Sequence, residues 1–341
     1  MKPIKVLVVD DSMLFRQLIS VGLNQDPDIT VVATAGDPFQ ARDMILRFEP
    51  DVMTLDVEMP RMNGIDFLRK LMPQHPVPTV VISSLDGSVF DAMAAGAVEF
   101  VHKPSESGPE ELGVWIRQEL AAKIKIAATV TPGEPQGRPE SQVVPAKGKY
   151  QGKVLAIGAS TGGTEAIFNV VKNFNTDIPG TVIVQHMPPG FTKMYADRLN
   201  KQCRIEAKEA ENGDLVEQGK ILLAPGDKQM RLTKTGGVYR VEVKPGERVS
   251  GHCPSVDVLF HSVATAAGKN AVGVILTGMG ADGAEGLLAM RRAGAQTIGQ
   301  DEKSCVVYGM PKVAFDIGAV IQQASLENIA NKVYNVFNSM P

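Results

Sequence analysis

The sequence has 341 residues, of which 44% are hydrophobic and 21% charged, and its formal net charge is -3. This length predicts about two domains, and a mildly acidic chain gives no reason to expect nucleic acid as a partner. No apolar run reaches the roughly 20 residues that cross a bilayer, so we expect no membrane insertion. The run at residues 6–9 is too short for a signal peptide. Three widely spaced cysteines indicate a reduced cytosolic protein.

Residues 1–126 alternate short β-branched runs with segments of helical periodicity. The strand candidates are residues 4–9, 29–34, 52–55, 79–83 and 98–101. Apolar residues recur at helical spacing in segments such as 14–23 and 39–48, and a last helix is predicted over 110–126. Five strands alternating with five helices predict a parallel sheet covered on both faces.

A second α/β domain is predicted over residues 151–341. Before it, residues 127–150 are rich in proline and glycine and lack apolar periodicity, so we expect a flexible linker. The second domain has buried-strand patterns at 154–157, 181–184, 221–223 and 272–276, a β-hairpin at 230–233 and 238–243, and a last helix over 326–337.

Acidic residues follow two strands of the first domain. Asp10 and Asp11 come directly after the first strand and Asp56 after the third. Carboxyl ends of parallel strands share one edge of a sheet, so these carboxylates should converge and favour Mg²⁺. Ser83 and Lys103, at the ends of the fourth and fifth strands, are then placed to hold a phosphoryl group on Asp56. The alternative is a set of solvated loop residues.

A serine motif opens the second domain. Residues 158–162 fit G-x-S-x-G between a strand and a helix, which exposes the hydroxyl of Ser160 as a nucleophile. A phosphate-binding glycine loop is the competing interpretation, but no Gly-Lys-Ser/Thr follows.

A serine nucleophile needs a base and an orienting acid. His186 directly follows an apolar strand, and His252 and His261 are weaker candidates for the base. Asp282 lies in a glycine-rich loop after a buried strand, where it is a candidate acid or a helix N-cap. The glycines of that loop leave backbone N–H groups free to stabilise an oxyanion.

Residues 1–123 resemble the receiver domains of two-component response regulators, which have a five-stranded, doubly wound, flavodoxin-like fold. The matching segments are VLVVDDS, TLDVEMPRMNG, VVISSL and FVHKP, although the segment from Ser83 to Ala97 is shorter than usual. The resemblance implies these roles: phosphorylation at Asp56, Mg²⁺ binding by Asp10, Asp11, Asp56 and the backbone carbonyl of Glu58, and switching by Ser83, Phe100 and Lys103.

Residues 152–322 resemble the catalytic domain of the chemotaxis protein-glutamate methylesterase family, CheB. The matching segments include IGASTGGTEAI, QHMPPGFT, PSVDVLFHSVA and AVGVILTGMGADGAEGL, and Cys253 stands where many relatives have a basic residue. The resemblance implies that the site comprises the nucleophile Ser160, the base His186, the acid Asp282, the Met279 backbone N–H as oxyanion donor, and Thr161 as a lining residue.

The two resemblances together imply a phosphorylation-activated serine esterase. Its substrates would be glutamyl methyl esters on methyl-accepting chemotaxis receptors, with glutamine deamidation as a further reaction, and a chemotaxis histidine kinase would be the phosphodonor. The receiver would need Mg²⁺ and the esterase no cofactor. We expect the unphosphorylated receiver to limit substrate entry. A DNA-binding output domain, a non-catalytic scaffold and a general small-molecule esterase are the alternatives.

Overall fold

The computed structural model of this chain describes residues 2–59, 62–83, 88–104, 108–130 and 150–340. The chain divides into two compact units, residues 1–137 and 138–341. Each unit contains its own parallel sheet, as the alternating sequence pattern predicts.

The first unit is built on a five-stranded sheet of order β2-β1-β3-β4-β5. All neighbouring strands are parallel. The central strands are apolar and buried, which is typical of a sheet covered on both faces. Its strands are β1 (Ile4–Val9), β2 (Ile29–Ala35), β3 (Val52–Asp56), β4 (Thr79–Ser83) and β5 (Glu99–His102). The predicted strands are confirmed to within one residue at each end.

Three helices of this unit begin at polar N-cap residues. The side chains of Ser12, Asp37 and Asn63 accept backbone N–H bonds in the first turns of these three. The helices of the unit are α1 (Met13–Leu23), α2 (Pro38–Phe48), α3 (Gly64–Leu71), α4 (Ser88–Ala94), α5 (Pro109–Trp115) and α6 (Ala121–Ala127). A π-helical turn, Ile116–Leu120, joins the last two, where the sequence predicted one regular helix. The segment from Ser83 to Ala97, which is shorter than usual in receivers, contains α4, and its residues 84–87 lie outside the described part.

The second unit has a seven-stranded parallel sheet of order β14-β13-β12-β6-β7-β9-β8. Its strands are β6 (Val154–Ala159), β7 (Gly180–Gln185), β8 (Glu206–Glu209), β9 (Lys220–Leu223), β12 (Ala271–Ile275), β13 (Gln296–Gln300) and β14 (Gln322–Ala324). The predicted hairpin is confirmed as the antiparallel pair β10 (Gln229–Thr235) and β11 (Val238–Lys244). Three strands, β8, β13 and β14, were not predicted.

Helices cover this second sheet. They are α7 (Gly163–Val171), α8 (Phe191–Gln202), α9 (Val256–Ala266), α10 (Ala284–Arg292), α11 (Met310–Asp316) and α12 (Leu326–Ser339), with short 3-10 turns at Gly268–Asn270 and Glu302–Ser304. Helix α9 packs against both α10 and the hairpin strand β10. Within the described part of the chain, every helix is too short or too polar to span a bilayer.

The predicted linker falls mostly on residues 131–149, which lie outside the described residues. On its C-terminal side, Tyr150 packs against Tyr334 and Phe337 and donates a hydrogen bond to Asn338. Tyr150 therefore belongs to the second unit, while the domain boundaries themselves stay a prediction.

Candidate active site and acidic pocket

The candidate active site lies at the carboxyl ends of three neighbouring strands, β12, β6 and β7. Ser160 follows β6, His186 follows β7, and Asp282 lies in the loop after β12. The strand order reverses beside β6, since β7 lies on one side and β12 on the other. Such a reversal leaves a crevice at the carboxyl edge of a parallel sheet, which is where ligand sites form.

The backbone around Ser160 forms a sharp strand-to-helix turn. The Ser160 N–H donates to the Thr277 carbonyl at 3.0 Å, and its carbonyl accepts from Gly163 at 2.7 Å. Gly162 has a φ of 72°, and a Cβ there would lie 2.6 Å from Val306. Only glycine fits this position, because both the backbone angle and the close neighbour exclude a side chain.

His186 connects Ser160 to Asp282. Its Nδ1 lies 3.1 Å from the Ser160 Oγ, and its Nε2 lies 2.8 Å from an Asp282 carboxylate oxygen. An ionised carboxylate only accepts, so Nε2 carries the proton and Nδ1 is left to accept from the serine hydroxyl. The two ring nitrogens are exchanged relative to the chymotrypsin arrangement, yet the hydrogen-bond chain has the same direction.

The Asp282 carboxylate accepts four hydrogen bonds. One oxygen accepts from His186 and the Val256 N–H, the other from the Ser255 hydroxyl and the Asp257 N–H. Burial raises the pKa of Asp282, but these hydrogen bonds and the nearby imidazole outweigh burial and lower it to about 2. Asp282 does not cap the helix that follows it, whose N-cap is Gly283.

Two predicted residues line the turn. The side chain of Thr161 is buried, and its carbonyl accepts from the Thr277 hydroxyl at 3.0 Å. Met279 is 51% exposed, and its N–H has no acceptor among the described residues. The loop from Gly278 is tied to the neighbouring segment by a bridge to Tyr308.

Sequence reasoning missed two buried amides that organise the site. Gln185 Nε2 donates to the carbonyls of Ser160 and His186, at 2.9 and 3.3 Å. Gln229 Oε1 accepts from the Ser255 N–H at 2.9 Å. Their signal in the sequence is a glutamine at the end of an apolar strand or directly before one. The Gln185 Oε1 has no hydrogen-bond partner among the described residues.

The predicted acidic pocket forms in the first unit. Ligand atoms of Asp10, Asp11 and Asp56 all lie within 4.8 Å of one another, at the point where the strand order reverses between β1 and β3. Burial and the neighbouring Asp56 raise the pKa of Asp10 to about 6, against hydrogen bonding from Lys103. The Lys103 Nζ lies 2.9 Å from Asp10 and 2.6 Å from Asp56. This set of hard oxygens fits Mg²⁺.

The remaining predicted receiver residues lie on β4, on β5 and just after β3. Ser83 is buried at the end of β4, next to the end of β3. Phe100 is buried on β5, with its ring centroid 6.3 Å from that of Phe90. The Glu58 N–H donates to Asp56 at 3.1 Å, so the backbone turns toward the pocket directly after the phosphoacceptor candidate.

Together, these features define a response regulator with a receiver-type domain followed by an α/β output domain. The chain belongs to the CheB methylesterase family: the family model described as CheB methylesterase matches residues 155–333, and the response regulator receiver domain model matches residues 6–113. Both resemblances seen in the sequence are thereby confirmed.

Relatives cover the whole chain. A protein from Syntrophomonas wolfei named protein-glutamate methylesterase/protein-glutamine glutaminase 2 is 59% identical over 100% of this chain and 99% of its own length. An Escherichia coli protein named protein-glutamate methylesterase/protein-glutamine glutaminase is 48% identical, over 98% of this chain and 97% of its own. The crystal structure of the Thermotoga maritima CheB methylesterase catalytic domain is similar, with a TM-score of 0.53, 34% identity, and coverage of 55% of this chain and 99% of that chain.

Proposed function

We propose that this chain is a phosphorylation-activated protein-glutamate methylesterase that hydrolyses glutamyl methyl esters on methyl-accepting chemotaxis receptors to glutamate and methanol. The observation that carries the proposal is the continuous hydrogen-bond chain from Ser160 through His186 to Asp282. The names of full-length relatives support the substrate. Cytosolic localisation stays a prediction.

Acylation begins with attack of the Ser160 Oγ on the ester carbonyl carbon. The hydroxyl proton moves to Nδ1 of His186, while the Nε2–H stays hydrogen-bonded to Asp282 and stabilises the imidazolium. Collapse of the tetrahedral intermediate breaks the bond to the methoxy oxygen. The leaving methanol takes the proton from Nδ1, and the glutamyl group remains on the serine as an acyl-enzyme.

The oxyanion of that intermediate needs a donor near the nucleophile. The backbone N–H of Met279, which has no acceptor among the described residues, is the donor that we propose. A single such donor contributes about 3–4 kcal/mol to catalysis. The N-terminus of α7 begins three residues after Ser160, and its dipole adds favourable positive potential.

Deacylation uses the same groups in reverse. A water molecule loses its proton to Nδ1 of His186 and attacks the acyl carbonyl. The resulting intermediate breaks its bond to the Ser160 Oγ, which takes the proton back from Nδ1, and the glutamate carboxylate leaves. A glutamine side chain can form the same acyl-enzyme with ammonia as the leaving group. We therefore propose protein-glutamine deamidation as the second reaction, in agreement with the double name of the relatives.

Regulation is assigned to the acidic pocket. We propose that Asp56 is phosphorylated by a chemotaxis histidine kinase and that Asp10, Asp11, Asp56 and the Glu58 carbonyl hold Mg²⁺. The ion would neutralise the phosphoryl oxygens during transfer. Lys103, which now bonds Asp10 and Asp56, would pair with the added phosphate. Ser83 and Phe100 would change position as switch residues and so activate the esterase.

Mass spectrometry of receptor peptides tests the function. Methylated receptor membranes are incubated with the full chain and then digested. Methylated glutamyl residues should lose the mass of one methylene group, and susceptible glutamines should become glutamates. Unchanged receptor peptides, together with hydrolysis of simple small-molecule esters, would instead indicate a general esterase.

A further inference from the structure

His252 lies flat against the imidazole of His186. The two ring centroids are 3.7 Å apart, and the ring planes differ by only 10°. Both nitrogens of His186 are engaged, one by Ser160 and one by Asp282. His252 therefore adds a contact of a different kind, which covers one face of the ring and restrains its tilt.

A tight turn fixes the backbone of His252. Its N–H donates to the Val249 carbonyl at 2.9 Å, and its carbonyl accepts from the Val249 N–H at 3.0 Å. Ser250 and Gly251 between them have φ values of 53° and 82°, as in the two-residue turns of β-hairpins. The ring is thus presented from a short, closed loop.

The same buried amide anchors this loop and the acid of the site. Gln229 Nε2 donates to the His252 carbonyl at 3.3 Å, while its Oε1 accepts from the Ser255 N–H. The Ser255 hydroxyl in turn donates to Asp282 at 2.8 Å. The Gln229 side chain therefore fixes the position of His252 relative to that of Asp282.

We propose that His252 is a positioning residue for the esterase reaction, which holds the His186 ring in the plane of the hydrogen-bond chain and stabilises its imidazolium form. This proposal rests on the proposed function. Ring atoms stacked at this distance make dispersion contacts across the whole face, and an aromatic face stabilises a cation placed over it. The role that we assign to His252 involves no proton transfer. Since the imidazolium develops as Ser160 attacks, the contact acts on kcat and leaves KM nearly unchanged.

The test compares three substitutions in the full chain, with methanol release from methylated receptor membranes as the assay. His252→Phe keeps a flat aromatic face, His252→Leu keeps bulk without one, and His252→Ala removes both. We expect the Leu and Ala variants to lose about tenfold in kcat with KM within about twofold, and the Phe variant to stay within about threefold of wild type. His261→Ala, at an exposed position on α9, is the matched control and should keep wild-type kinetics.

Three results would overturn the proposal: wild-type kcat in the Ala variant, equal kcat in the Leu and Phe variants at equal Tm, or a rise in KM at constant kcat. The Leu–Phe comparison remains decisive if the Ala variant is unstable. A Ser160→Ala variant in the same assay distinguishes failure of the proposed function from failure of the role proposed for His252. An active Ser160→Ala enzyme contradicts the proposed function, whereas an inactive one beside a fully active His252→Ala enzyme contradicts only the role of His252.

Discussion

At the scale of single residues, the Asp282 carboxylate is the most constrained group of the site. Backbone N–H groups of Val256 and Asp257 point at opposite oxygens, and both are buried. An asparagine would turn its NH₂ group toward one of these N–H groups whichever way it rotated. With the NH₂ toward His186, Nε2 would become the acceptor and Nδ1 would carry the proton, which is the wrong tautomer for accepting from Ser160.

Asp282→Asn should therefore lower kcat by about 10⁴-fold and destabilise the catalytic domain by about 1–3 kcal/mol. The pKa of Asp282 is lowered in the folded state, from 3.8 to about 2. Its contribution to stability is thus full above about pH 4 and is lost as the pH falls toward 2. Thermal unfolding of the wild type and of Asp282→Asn between pH 7 and about pH 2 should show that the difference between their Tm values becomes smaller at low pH. A difference of constant size would contradict the assigned hydrogen bonds.

At the scale of elements, the β6–turn–α7 unit depends on close backbone approach. A Cβ at Gly163 would lie 2.1 Å from the Gln185 Oε1 and 2.7 Å from the Ala159 Cβ. The Gln185 side chain is buried and holds the carbonyls of Ser160 and His186, so it has little room to move. Any shift here passes directly to the nucleophile and the base.

Gly163→Ala should lower both stability and activity. Overpacking of this kind costs about 1–3 kcal/mol, and displacement of Gln185 should reduce kcat more than it raises KM. Gly108→Ala is the control, because a Cβ there has nothing within 4 Å. Thermal unfolding and methanol-release kinetics provide the two readouts. Normal kcat in Gly163→Ala would show that Gln185 does not control the geometry of the nucleophile.

The sequence predicted the elements that have a strong apolar signal. Buried parallel strands such as β1 and β6 were recognised, and their carboxyl ends indicated which acidic residues meet in the first unit and which residues meet at Ser160 in the second. Strands β8 and β14 are short, polar and at the edges of the sheet, so they lack this signal. β13 is buried, but it contains glutamine, threonine and glycine rather than a continuous apolar run.

The supporting contacts of the site could not be predicted in the same way. The amides of Gln185 and Gln229 hydrogen-bond to residues that are distant in the chain. His252 contacts the flat face of the His186 ring. The carboxyl ends of parallel strands share one edge of a sheet, and this identifies which residues meet there. It does not identify the buried amides that orient those residues. Which ring nitrogen of His186 faces Ser160 and which faces Asp282 likewise depends on the side from which each loop approaches the ring.

At the scale of the whole molecule, the two units have different parts in the proposed function: the first would provide control by phosphorylation and the second would perform the hydrolysis. The acidic pocket belongs to the first unit and the serine site to the second. Control by phosphorylation therefore requires the charge added at Asp56 to alter the behaviour of a separate domain.

A small phosphodonor with Mg²⁺ should raise the methanol-release rate of the full chain several-fold. Asp56→Asn should show a normal basal rate and no response, and a metal chelator should remove the response of the wild type. The same rate under all these conditions would contradict control by the receiver.

The central claim is that Ser160 performs the hydrolysis, and the initial rate of methanol release from methylated receptor membranes tests it most directly. Loss of a serine nucleophile leaves only a small residual rate, so Ser160→Ala should fall by at least about 10³-fold. Ser339→Ala, at an exposed site on α12, should match the wild type. A folded Ser160→Ala protein that releases methanol at the wild-type rate would contradict the account.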